Sequence, residues 1–310
     1  MEVDDFLISV YIPSLRKHVP FRQLTNKVYK NILKYIESND EERLGQYFYN
    51  IIEKLGETRP DGLNKIDVFC ILLTLRIVCI GPAIDLQFTC PKTKKKYKTS
   101  IELNNILQNF TDIGESTGSS LKLNDDISLD VGIPENLYTD DDDLVDTMTY
   151  CINNICIQGT DHNLGDLAYD ERRDIINCLP GEVFNYIVKY SNNLQEKFNE
   201  SVILVEKSPH YDGSASQEHR LGLYNNSMFN FIRMVFSDRL IGYYEMLYSL
   251  SSNVHLSPEY IESLTPAEAG IFLTTRRKEL AEQERQQKEA DSRNTGPTLP
   301  DRFSGAVDNL

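Results

Sequence analysis

The sequence predicts an α+β fold: mostly helical, with several short β-hairpins and a charged, partly disordered C-terminal tail. Three observations lead there. Apolar residues recur at helical spacing over much of 26–80 and again after 139, alternating runs are punctuated by Pro, Lys and Asp turns, and the apolar face is lost after about residue 276. At 310 residues, 40% hydrophobic and 25% charged, the chain can build a sizeable core in one large domain or two.

Residues 6–24, "FLISVYIPSLRKHVPFRQL", read as two strands around a turn opened by Pro13, with Pro20 confining the second to an edge. "NKVYKNILKYIE" places Val28, Ile32, Tyr35 and Ile36 on one helical face. "EERLGQYFYNIIEKLG" does the same with Leu44, Tyr47, Phe48, Ile51 and Leu55, and Gly56 is expected as its C-cap. "NKIDVFCILLTLRIVCIG" is apolar almost all round and is expected at the centre of the first half, capped by Asn64 and stopped by Gly81-Pro82. "AIDLQFTC" and "KYKTSIEL" form a hairpin whose exposed lysine turn guards an edge. "SLKLNDDISLDVGIP" forms another, turning at "NDD".

After residue 139 helical patterns dominate. "DLVDTMTYCINNICI" is read as a helix, followed by a polar loop and by a segment that Pro180-Gly181 divides into two helices. "SVILVEK" is a strand and "SPHYDGSASQEH" a loop. In "MFNFIRMVFSDRLIGYYEMLYSL", Phe229, Ile232, Phe236, Leu240, Tyr243, Leu247 and Leu250 follow at intervals of 3, 4, 4, 3, 4 and 3. That spacing aligns them on one stripe of a long helix, which faces the core or offers a candidate partner-binding seam. Ser257-Pro258 and Thr265-Pro266, the latter with Glu268, mark two more helix starts. The organisation expected is 1–110 (hairpin, helices, second hairpin), 111–138 (acidic hairpin and linker), 139–275 (mainly helical) and 276–310 (charged helical extension and flexible tail).

The formal charge of −15 disfavours nucleic acid as a partner, and residues 111–150 alone hold 11 acids against one lysine. Asp140 to Asp143 are contiguous rather than alternating, which fits a helix N-terminus better than a calcium loop. The longest apolar run, "VFCILLTLRIVCIG", is short for a membrane span and contains Arg76. The acidic amino terminus lacks a secretory pattern, so a cytoplasm is the expected compartment. "FTCPKTKKKY" resembles half a zinc ribbon, but none of the six cysteines forms a C-x-x-C pair and no ligands stand near Cys90. Phosphate loops, dinucleotide fingerprints, nucleophile elbows and H-E-x-x-H are missing from the sequence. No catalytic residue, metal ligand or cofactor is therefore assigned. The alternative kept is a metal-dependent hydrolase using the acids near Asp140–Asp146 and His162.

Several phrases taken together resemble the T4-type bacteriophage baseplate hub assembly family: "YIPSLRKHVPFRQLTNKVYKNIL", "IDVFCILLTLRIVCIGPAIDLQFTCP", "MFNFIRMVFSDRLIGYYEMLYSLSSN" and "LTPAEAGIFL". The likeness runs diffusely through residues 8–275, and the charged tail departs from it. It implies a non-enzymatic hub component or chaperone-like assembly factor of a contractile phage tail, working in the host cytoplasm and compatible with a place in the virion. Its partners would be other tail and baseplate hub proteins, with a homo-oligomer also compatible and no membrane or nucleic acid.

Overall fold

The structure, a computed structural model, describes residues 7–56, 63–90, 92–116, 119–124, 126–132, 149, 151–201, 203–209, 218–222 and 228–294. Strands β1 (Leu7–Ile12) and β2 (Lys17–Arg22) pair antiparallel, and period-2 alternation turns Ile8, Val10, Ile12, Val19 and Phe21 inward. Helix α1 (Asn26–Ser38) buries Ile32 and Ile36 of its expected stripe, but Tyr29 and Leu33 complete the buried face while Val28 and Tyr35 are only partly buried. Helix α2 (Glu41–Leu55) buries Leu44, Phe48, Ile51 and Leu55 as expected, with Tyr47 partly buried. Gly56 does follow α2, but at φ −72 it is extended rather than left-handed. It instead bridges Phe21 of β2, so the helix end is fixed by strand-like pairing.

Helix α3 (Lys65–Cys79) lies at the centre of the first core, as its all-round apolarity requires. Asn64 accepts from the N–H groups of Ile66 and Asp67, and Asp67 reaches back to the Asn64 N–H, completing a capping box. Asp67 is fully buried, and its carboxylate also accepts from the Ser14 N–H and hydroxyl at the β1–β2 turn. β3 (Ala83–Thr89) and β4 (Lys96–Glu102) form the second ribbon, rooted in the core by the Ile84–Ile101 pair. Helix α4 (Leu103–Ser116) follows without a break and crosses the boundary expected at 110. Its Phe110 stacks on Phe69 of α3, with centroids 5.2 Å apart.

A second, smaller core lies under a four-stranded antiparallel sheet: β5 (Ser119–Lys122), β6 (Ile127–Val131), β7 (Ile152–Ile157) and β8 (Thr160–Asn163). Asn124 accepts from the N–H groups of Asp126 and Ile127 and so builds the expected turn. β7 corrects the sequence reading, which made "INNICI" helical. Ile152 and Ile155 both face the core although three residues apart, because the register against β6 shifts between Asp130 and Val131. A bulge in a strand thus imitates a helical interval. The expected polar loop holds β8, joined to β7 through Gln158 (φ 51) and Gly159 (φ 79), the two left-handed residues of a tight hairpin. Leu164, in a single 3-10 turn, then α5 (Tyr169–Asn177) and α6 (Gly181–Ser201) close this core from the other side. α5 and α6 are separated at Pro180 as expected. The acidic run Asp140–Asp143 lies outside the described residues.

β9 (Ile203–Lys207) pairs with β10 (Glu218–Gly222), a partner strand that the sequence reading left out. The chain then returns to the first core through α7 (Met228–Val235) and α8 (Leu240–Asn253). α9 (Pro258–Ser263) and α10 (Pro266–Asn294) begin at the caps expected, Ser257 and Thr265. Leu250, Ile261 and Ala269 join α8, α9 and α10 in a third small cluster. α10 runs unbroken through the boundary expected at 275, and beyond it the side chains are almost all exposed. The segment 295–310, read as a flexible tail, lies outside the described residues.

One glycine tests the packing of α4. A β-carbon on Gly114 would stand 2.5 Å from Pro13 Cβ and 3.2 Å from Ile66 Cγ2. Helix propensity alone makes Gly→Ala a gain of about 1 kcal/mol. The close approach reverses the sign, and G114A is expected to lose about 1–3 kcal/mol in a urea titration. A stabilised variant would show that the hairpin turn yields freely to α4.

Candidate functional site

The periodic stripe is the first candidate surface, and the structure divides it. It forms two helices, α7 and α8, where one long helix was expected. Ile232, Phe236, Tyr243 and Leu250 are buried within the chain's own cores, and Leu240 and Leu247 pack partly buried against them. Phe229 sits in α7 with its side chain outside the described set. The core-facing half of the expectation thus describes most of the stripe.

The break has a physical cause in α3. The Arg76 side chain, almost fully buried, donates from Nε to the Val235 carbonyl (3.0 Å), from Nη1 to Gly81 (2.6 Å) and from Nη2 to Ala83 (3.2 Å). It therefore occupies a carbonyl at the end of α7 that a continuing helix would need. Just beyond, Asp238 accepts from the Tyr29 hydroxyl and stands 4.0 Å from Arg76 Nη2. Glu37 of α1 accepts from the Leu240 N–H and satisfies the start of α8. Between these clamps the Phe236 ring lies 5.8 Å from that of Phe48 and 6.5 Å from that of Tyr29.

What the stripe does not bury is exposed on the far side of α8. Ile241, Tyr244 and Tyr248 follow at intervals of 3 and 4 and are 53%, 41% and 75% exposed. These three are surface candidates that the sequence reading passed over, since it counted only the stripe with the longest unbroken period. α10 adds a projecting charged rod held by pairs such as Arg285–Glu289 and Arg276–Glu279.

The lysine turn of the β3–β4 ribbon is a third feature. Cys90, at its base, is buried, and Lys94 donates its N–H to the Cys90 carbonyl while Cys90 donates to that of Lys95. Hydrogen bonding from Ser208, then from Thr93, lowers the Cys90 thiol to about 7 against the opposing effect of desolvation. Among the described residues no group of three or more His, Cys, Asp or Glu is placed to hold a metal. His162 and Asp161 are consecutive on β8 and point to opposite faces, and Asp166 accepts from Asn163 instead. Asp140–Asp146, the other half of the hydrolase reading, lie outside the described residues, as does His210. His18, His162 and His255 are exposed, and His219 lies in β10 opposite Glu206.

The model of a family described as T4 bacteriophage base plate protein matches residues 6–201, well over half of the chain. That span contains both sheet-bearing cores apart from the contribution of α7 and α8 to the first. No curated protein matches, and no solved structure does.

Two measurements check the geometry around Arg76. R76M leaves the carbonyls of Val235, Gly81 and Ala83 without their donor, and is expected to lose about 3–5 kcal/mol in denaturant unfolding. R76K, which cannot fork to three acceptors, should fall between the two. The second measurement is pH-dependent. Burial raises the Cys70 and Cys151 thiols to about 12, Cys79 to about 11 and the Tyr243 phenol to about 12, and raises Tyr29 further, with the Asp238 charge adding to it. All five hold their protons more tightly folded than unfolded. Their contribution is therefore complete below the ordinary thiol value of 9.0 and is lost as pH rises towards 12. The urea midpoint should fall steadily over that window, and a flat profile would mean that these groups titrate as freely as in the unfolded chain.

Proposed function

The chain belongs to the T4 bacteriophage base plate protein family, and from that premise we propose a non-enzymatic component or chaperone-like assembly factor of a contractile phage's baseplate hub. It works by contact with other tail proteins, in the host cytoplasm during assembly and then in the virion tail. The family match carries the reading. Two exposed surfaces support it: the outer face of α8 and the charged far half of α10. Among the described residues no helix is long and apolar enough to cross a membrane.

Mass spectrometry of purified particles, run beside a pull-down from infected-cell lysate, tests the reading directly. Hub proteins should be recovered with the tagged chain, and their absence from both samples would overturn it. Removing residues 276–310 should leave the thermal unfolding midpoint unchanged, because that part of α10 contributes to none of the three cores. The same truncation should lower particle yield in complementation by about tenfold, the loss expected for a contact worth roughly 1.4 kcal/mol. Full yield from the truncated chain would remove the rod from the docking surface.

A further inference from the structure

The β3–β4 ribbon carries a charged surface that stands apart from α8 and α10. Lys92, Lys94, Lys95, Lys96 and Lys98 crowd its turn and second strand in a chain of net −15, and no acid stands between Asp85 and Glu102. All five are exposed. The ammonium groups of Lys94, Lys95, Lys96 and Lys98 form no ion pair among the described residues, whereas Arg43, Arg276 and Arg285 each have an acid within about one helical turn. Like charges gathered without counter-charges repel one another, and an anion settling among them relieves that repulsion.

Strand pairing sorts the ribbon into two faces. On one, Ile84 and Ile101 lie in the first core, Leu86 packs against it, and the Phe88 and Tyr97 rings meet at 5.8 Å. The other is solvated: Lys96 stands opposite Thr89 and Lys98 opposite Gln87, with Asp85 and Glu102 following towards the root. The turn is fixed from above and below. Cys90 donates to the Lys95 carbonyl (2.9 Å) and Lys94 to that of Cys90 (2.8 Å), while the buried Cys90 thiol is hydrogen-bonded by Ser208. The lysines are therefore presented on a preformed scaffold, which lowers the ordering cost of binding to them.

We propose that the solvated face and turn of this ribbon bind an extended acidic segment of a partner protein. Same-face residues of an extended chain stand about 7 Å apart, so acids at alternate positions of such a segment match Lys96 and Lys98 one to one. Lys96 lies about 20 Å along β4 from Glu102, well beyond the roughly 8 Å screening length at physiological salt, so the acidic body does not cancel the field at the tip. A nucleic-acid duplex fits this face less well. It presents a charge about every 1.7 Å of its axis and would run past the lysines onto Asp85 and Glu102. The solvated face also holds neither an arginine to fork to phosphates nor an aromatic ring to stack on bases. A peptide's carboxylates can end where the lysines end.

Fluorescence anisotropy on the purified full chain tests it, with a short labelled peptide of alternating glutamate and serine as the probe. Binding should be measurable in about 0.1 M salt and weakened about tenfold or more in about 1 M, where the screening length falls from roughly 10 to 3 Å. K96E/K98E turns two attractions into repulsions and should weaken binding about tenfold or more at the lower salt. K96R/K98R keeps both charges and should bind at least as tightly as the native chain. Both positions are exposed, so circular dichroism of each variant should match that of the native chain. The same peptide with glutamine in place of glutamate should not bind, and a labelled DNA duplex should bind more weakly than the acidic peptide. A native chain that ignores the acidic peptide, a K96E/K98E variant that binds it as the native chain does, or equal binding of the glutamine peptide would each overturn the proposal. So would a duplex that binds more tightly than the peptide and is lost in K96E/K98E. None of these outcomes bears on the recovery of hub proteins with the tagged chain, so this proposal can fail while the baseplate reading stands.

Discussion

A guanidinium inside an apolar helix is the constraint around which the larger core is arranged. Left dry and unpaired, Arg76 would cost several kcal/mol of desolvation. Its donors are instead taken up by carbonyls from two separate stretches, the end of α7 and the turn into β3, with Asp238 close by. Each bond satisfies the arginine and also an acceptor that has no partner in regular structure, so one side chain resolves two shortages. The end of α7 follows from this: its Val235 carbonyl is taken up by α3, so the chain can turn there and insert Phe236 beside Phe48 without leaving polar groups orphaned.

Asp67 performs the matching task at the opposite end of the same helix. The two charges stand where the helix dipole favours them, acid in the first turn and base in the last. The Asp67 carboxylate caps its own helix and holds the turn of the first hairpin through Ser14. An apolar rod with one oriented charge at each end thereby fixes both a hairpin at its start and a helix break at its finish. Hydrophobic burial supplies most of the stabilisation in this core, but it has no direction. The two buried charges supply direction, because a hydrogen bond is satisfied in one geometry and lost in most others.

Local chemistry in this sequence was legible where a signal is carried by adjacent residues. The capping groups at Asn64, Ser257 and Thr265, the Pro13 turn, the Asn124 turn and the all-round apolarity of α3 can each be read within a few positions. Features decided by distant partners could not be read that way. The 228–250 stripe is periodic enough for one helix, and only Arg76 and Glu37, far away in sequence, end one helix and begin the next. "INNICI" misled for the opposite reason: a register shift against β6 gave a strand the three-residue interval of a helix. β10 is short and polar enough that its pairing with β9 leaves no clear period. Of the surface, the lysine turn was visible at once, whereas the Ile241, Tyr244 and Tyr248 face emerged only after the core had claimed the other side of α8.

The span that matches the family ends at residue 201, but the packing does not end there. Phe231 of α7 lies edge-on to Phe69 and Phe110, with centroids 4.5 and 5.8 Å away, completing an aromatic cluster that the matched span only begins. Asn26, at the start of α1, donates its side-chain N–H to Ile261 and its backbone N–H to Leu264, so the α9–α10 junction is bonded to the first helix. A boundary in sequence similarity is therefore not a boundary in folding, because large apolar side chains inside the match find their cover outside it. α7, α8 and α9 are committed to the core on their inner faces, which leaves the outer face of α8 and the far half of α10 exposed. Those are the surfaces on which this protein can differ from others of its family while keeping the same buried framework.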